Sequence, residues 1–139
     1  MIFSSPIIRA KETAQIIAKN HPNAEFIIVD ELKEMELGCY LNKGFDEVDW
    51  DLMPADVESR TSMYERAKTI IERALEKHPT STVLFVAHNA INKAIIRFIR
   101  KWHPEDKKSI PQGNTAINIF EISAKEQKEI TFNCTKHLI

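Results

Sequence analysis

Apolar and polar positions along the chain follow two periods, and the switches between them mark out the elements. After the short apolar start Ile2-Phe3, the residues Ile7, Ala10, Ala14 and Ile17 recur every three or four positions and predict one apolar helix face. Ser4-Ser5-Pro6 precedes that face, with Ser5 placed as the N-cap and Pro6 at the first helical position. Asn20, His21, Pro22 and Asn23 end the helix. Phe26, Ile27, Ile28 and Val29 form a continuous apolar run that predicts a buried strand. From 30 to 60 the pattern breaks, punctuated by Gly38, Gly44 and Pro54, and a long irregular excursion is expected there.

Regularity returns at Ser62 and Glu65, which have the spacing of a capping box. Met63, Ala67, Ile70, Ile71 and Ala74 make the stripe of a second helix, ended by His78-Pro79. Val83, Leu84, Phe85, Val86 and Ala87 then read as a parallel strand buried on both faces. His88 follows directly, with Asn89 as the expected N-cap of a third helix carrying Ile91, Ala94, Ile95, Phe98, Ile99 and Trp102 on one side. Residues 116–122 alternate as a strand, and 130–132 supply one more. Strands alternating with helices predict an α/β fold, a three-layer sandwich around a mostly parallel central sheet, in one domain over 1–139. Ligands of such sheets sit beyond the carboxyl ends of the strands, where this chain places residues 4–9 and 88–89.

Composition narrows the function classes. The formal net charge is -1 with both signs interspersed, so neither a nucleic-acid stripe nor an acidic tail is present. Cys39 and Cys134 are far apart, lack metal-ligand spacing, and read as reduced, inert thiols. No apolar run approaches the roughly 20 residues of a membrane span. The polar, helix-like segment within the first dozen residues is unlike a secretory leader, and a cytoplasmic protein is expected. No zinc, P-loop or dinucleotide motif occurs.

Three residues stand out chemically. Arg9 lies in a first helical turn, where the dipole disfavours a cation by about a few tenths of a kcal/mol. A bound anion would compensate, and the guanidinium fork matches phosphate oxygens. Position alone also allows a solvated arginine, or one paired with Glu12 or Glu34. His88, between a strand and a helix, is placed to bind phosphate or steady developing charge, or simply to fill a loop. Glu34 could act as a general acid near a phosphate, or be one more solvated carboxylate. His21, His78 and His103 each precede proline and read as punctuation, and His137 lies near the end of the sequence.

Taken together, these residues resemble the histidine phosphatase (phosphoglycerate mutase-like) superfamily. Ser4-Ser5-Pro6 leading to Arg9-Ala10 and Thr13-Ala14 is similar to one family block, and Leu32-Lys33-Glu34 running to Gly38 to another. Glu58-Ser59 with Arg66, and the apolar strand ending at His88, are similar to two more. The resemblance is collinear over nearly the whole chain. It implies that Arg9 and His88 hold the transferring phosphate, with backbone amides near Asn89 adding contacts. It also implies that His88 steadies the charge, that Glu34 protonates the leaving oxygen, and that chemistry proceeds through phosphohistidine without a metal or other cofactor.

The sequence departs from the family pattern in three places. The family opens with a strand ending in Arg-His-Gly, whose histidine is the nucleophile. No Arg-His-Gly occurs here, so the resemblance implies an N-terminally truncated, incomplete domain with little or no activity alone. A separate N-terminal polypeptide could complete it, and an uncovered sheet edge leads us to expect a homo-oligomer. Asn89-Ala90 replaces the family's Gly-Gly, a mild change because Asn tolerates unusual backbone angles. The segment between Glu34 and Ser62 is short for the family, implying an open pocket suited to a phosphoprotein or a phosphorylated small molecule. Phosphatase is expected over mutase-type transfer; the alternative is a non-catalytic phosphate-binding protein.

Overall fold

The computed structural model describes residues 1–123 and 125–138, so the last residue of the expected domain, Ile139, lies outside the described residues. In chain order it contains β1 (Ile2–Ser4), α1 (Ile8–Lys19), β2 (Phe26–Ile28), α2 (Arg60–Lys77), β3 (Leu84–Val86), α3 (Asn89–Ile99), β4 (Ile117–Ile122) and β5 (Gln127–Cys134). The excursion between β2 and α2 carries three short 3-10 turns, at Asp30–Leu32, Gly38–Tyr40 and Phe45–Glu47.

The expected α/β architecture is present, with one refinement. β1 is central and pairs in parallel with β2 on one side and β3 on the other, Phe3 lying opposite Ile27 and Phe85. β4 and β5 form a separate antiparallel pair rather than extending that sheet. Among the described residues β3 therefore has a single hydrogen-bonded neighbour. This explains why residues 83–87, expected to be buried on both faces, are only half-buried. The strand expected at 26–29 is present over Phe26–Ile28, but its expected burial is reduced in the same way: Phe26 and Ile27 are half-buried, Ile28 is exposed, and only Val29 is buried, because β2 is an edge strand.

The core lies on the Phe3 face of β1. There the predicted stripe Met63, Ala67, Ile70, Ile71 and Ala74 of α2 meets Ile91, Ala94, Ile95 and Ile99 of α3. Phe85 stacks on Phe3 with ring centroids 5.6 Å apart. Phe120 and Ile122 of β4 also pack against this cluster. α1 packs on β1 and β3, and its buried Ala10 and Ala14 stand outside the cluster, which gives the third layer. Small side chains at these two positions let the helix approach the sheet closely.

Three capping assignments change. α1 starts at Ile8 with Ile7 as N-cap, not with Ser5 and Pro6. α2 starts two residues before Ser62, because Ser59 accepts from the Ser62 amide at 3.0 Å. α3 is N-capped by His88, and Asn89 is its first helical residue. Both free cysteines are unpaired thiols. Among the described residues no helix is long and apolar enough to cross a membrane.

Candidate functional site

The carboxyl ends of β1 and β3 lie side by side, since Ser4 is in register with Val86. The residues that follow each strand therefore meet. Ser5, whose amide donates to the Val86 carbonyl at 3.0 Å, has its Oγ 2.8 Å from His88 Nε2. Ser5 is fully buried and His88 is 6% exposed. Ser5 Oγ also accepts from the Ile7 amide at 3.2 Å. The hydroxyl that the sequence suggested as a helix cap is thus committed to the turn before α1 and to the imidazole.

His88 is held neutral by its surroundings. Burial pushes its pKa below the ordinary 6.5, the Arg9 guanidinium pushes the same way, and the Glu34 carboxylate opposes both. Arg9 is exposed and makes no ion pair among the described residues, so neither Glu12 nor Glu34 neutralises it. An unpaired arginine in the first turn of a helix, next to a buried neutral histidine, leaves local positive potential for an anion.

Glu34 is half-buried, and its Oε1 accepts two amides, Met35 N–H and Ala90 N–H, each at 3.0 Å. The Ala90 amide belongs to the first turn of α3, so the carboxylate sits on a helix N-terminus. The amides near Asn89 were expected to serve an anion; that of Ala90 serves Glu34 instead. Oε2 of Glu34 has no hydrogen bond among the described residues. Asn89 turns its side chain elsewhere, donating to the Gln112 carbonyl at 3.1 Å. Gln112 and Asn118 pair their amides, and Asn118 Oδ1 also accepts from the Asn133 amide. Asn89 thereby ties the start of α3 to the β4–β5 pair.

The loop bearing Glu34 is fixed by a clamp whose role the sequence left unassigned. Arg66 of α2 meets Glu58 with both arms, Nε to Oε1 at 2.8 Å and Nη2 to Oε2 at 2.7 Å. Its remaining nitrogen, Nη1, donates to the carbonyls of Glu31 and Lys33. Glu58 in turn bonds the next residues of the loop: its amide donates to the Glu36 carbonyl, and its carboxylate accepts the Glu36 amide. Burial alone would raise the Glu58 carboxyl, but the Arg66 guanidinium outweighs it. With help from the Ser62 hydroxyl and the Glu36 amide, it holds the pKa below the ordinary 4.5. Arg73 adds an ion pair to Glu31. Residues 31–36 are thus pinned on both sides of Glu34, facing a cleft of about 630 Å³ lined by Lys33, Glu34, Asp56, Ser59 and Arg66.

These contacts place His88 beside the turn that leads to Arg9 and seat Glu34 on the Ala90 amide, while the Asn89 side chain bonds the Gln112 carbonyl. The profile of the histidine phosphatase superfamily (branch 1) matches residues 1–135. The phosphoglycerate mutase-like protein 4 of Arabidopsis thaliana is 27% identical over 137 residues, 87% of this chain and 58% of that protein. A metal-independent phosphoserine phosphatase of the same plant is 31% identical over 109 residues, 68% of this chain and 46% of that protein. The chain therefore spans about half the length of these two relatives. Among solved structures, a phosphoserine phosphatase from Entamoeba histolytica in complex with 3-phosphoglyceric acid superposes with a TM-score of 0.84 at 26% identity, covering 100% of this chain and 76% of that one. A second structure of that enzyme, a mutant, holds phosphoserine. YhfR of Bacillus stearothermophilus shares the fold, with a TM-score of 0.83 at 22% identity over 99% of this chain and 75% of that one.

Proposed function

The chain belongs to the histidine phosphatase superfamily, branch 1, and on that premise we propose that it carries the phosphate-holding and proton-donating part of a phosphomonoester phosphatase site. One observation carries this reading: buried His88 touches Ser5, in the turn that leads to Arg9, while the Ala90 amide two residues after His88 holds Glu34. In this reading Arg9 grips the phosphate oxygens as a fork, and neutral His88 donates a hydrogen bond as charge builds on them. Glu34 takes up a proton from solvent at Oε2 and delivers it to the leaving oxygen, while Oε1 stays anchored on the amides of Met35 and Ala90.

In this reading the nucleophile is a histidine supplied from outside these 139 residues, among which no Arg-His-Gly occurs. It attacks phosphorus, the ester oxygen leaves with the Glu34 proton, and water later cleaves the phosphohistidine. A segment supplying it, in the same or another polypeptide, would fill the open side of β3, or a second copy would cover that edge. The 139 residues alone then hydrolyse phosphate esters very slowly or not at all. The substrate is a phosphorylated small molecule or a phosphoprotein; phosphoserine and 3-phosphoglyceric acid, bound by the Entamoeba enzyme, are the first to try.

The absence of Arg-His-Gly also favours a second reading, a phosphate-binding protein without catalysis. Hydrolysis of p-nitrophenyl phosphate by the chain, beside Arg9→Ala and His88→Ala, tests whether the nucleophile lies outside these residues. Acid-quenched labelling of the chain joined to a segment that carries the histidine tests the catalytic reading, which fails if no phosphohistidine forms. No turnover by the chain alone is expected. Turnover abolished by both substitutions would mean that this chain holds its own nucleophile, and an outside histidine would then have no part in the reaction.

A further inference from the structure

The contact between Ser5 and His88 carries information about where the imidazole proton sits. A serine hydroxyl has one hydrogen to donate and two lone pairs to accept with. Ser5 Oγ already accepts the Ile7 amide at 3.2 Å, and Ser5 is sealed from solvent. Its hydrogen must find an acceptor inside the protein. Among the described residues His88 Nε2, at 2.8 Å, is the one group placed to receive it. Were Nε2 protonated, its hydrogen would point at Oγ, and the serine hydrogen would be left buried and unsatisfied, an arrangement folded proteins avoid.

We infer that Ser5 is a positioning residue for His88: its hydroxyl donates to Nε2 and fixes the proton of the neutral imidazole on Nδ1. Nδ1 makes no hydrogen bond among the described residues, and it is not among the solvent-sealed polar atoms without a partner. A proton held there is thus a donor with no competing acceptor in the protein, available to an anion oxygen. That last step rests on the phosphate reading above; the tautomer does not. The turn Ser5-Pro6-Ile7 gains a purpose beyond starting α1, since the Ile7 amide orients the Ser5 oxygen so that its hydrogen faces the ring.

The test is long-range proton–nitrogen NMR on the uniformly 15N-labelled chain at mildly alkaline pH, with the His88 signals identified by their loss in His88→Gln. A pyrrole-type Nδ1 and a pyridine-type Nε2 are expected. The reverse pattern in the unsubstituted chain overturns the inference, so it stays testable if the serine variant does not fold. Ser5→Ala is expected to move His88 toward the Nε2-protonated form and to weaken inorganic phosphate binding about tenfold, as loss of one aligned donor would. An unchanged tautomer in Ser5→Ala also overturns it. An Nδ1-protonated His88 in a chain that binds no phosphate upholds the role of Ser5 and removes the phosphate reading instead.

Discussion

Glu58 and Arg66 meet in a two-armed ion pair, and through it α2 holds both flanks of Glu34. The pair is mostly shielded from solvent, with side-chain exposures of 10% for Glu58 and 22% for Arg66. Desolvation offsets part of the attraction, so its worth is read from removing one partner rather than from Coulomb energy. Glu58→Gln leaves the guanidinium short of its counter-charge while preserving shape. A loss of about 2 kcal/mol is expected, the scale of a hydrogen bond to a charged group. Urea unfolding of the single variants and of Glu58→Gln/Arg66→Gln checks this. The double variant should lose less than the sum of the singles.

A second expectation concerns pH. The pKa of His88 is depressed on folding, so between that depressed value and the ordinary 6.5 the unfolded chain binds more protons than the folded one. Stability contributed by the neutral ring is complete above 6.5 and is lost as pH falls through the folded pKa. The Glu58 carboxyl, also depressed, adds a second loss at more acid pH, below 4.5. Unfolding midpoints measured from neutral pH downward should fall in two stages. His88→Gln should flatten the first stage and leave the second. A first stage unaltered by that substitution would assign it to another group.

Gly38 gives a third. Its φ of +45° is left-handed, and a Cβ there would stand 2.2 Å from the Asp56 carbonyl oxygen. The neighbouring Cys39 amide donates to Asp56 Oδ2 at 2.7 Å, so this close approach joins the two sides of the excursion just before Glu58. Gly38→Ala is expected to cost roughly 2–3 kcal/mol through strain and displacement of residues 55–58. Thermal melting checks it. A melting temperature equal to that of the unsubstituted chain would show that the two sides of the excursion separate at no cost.

What the sequence made legible follows the range of each interaction. The stripe Met63, Ala67, Ile70, Ile71 and Ala74 is a local periodicity, and all five residues are buried as expected. The collinear blocks around Arg9, Glu34 and His88 pointed to the family and the fold. Caps were less legible, because Ser5 and Ser62 each have a helix-starting pattern while their hydroxyls are drawn to His88 and Glu58. The anchoring of Glu34 on the Ala90 amide joins residues 56 positions apart, and no local pattern encodes it. The separation of β4–β5 from the parallel sheet was likewise invisible, since alternation along 116–122 specifies a strand but not its partner.

A phosphate site at Arg9 and His88 is tested most directly by calorimetric titration of the intact chain with inorganic phosphate at neutral pH, beside Arg9→Ala and His88→Gln. Saturable binding to the unsubstituted chain is predicted, with an affinity lower by about tenfold or more in each variant, the scale of one charge-assisted hydrogen bond. No heat with the unsubstituted chain, or equal affinity in all three proteins, would contradict it.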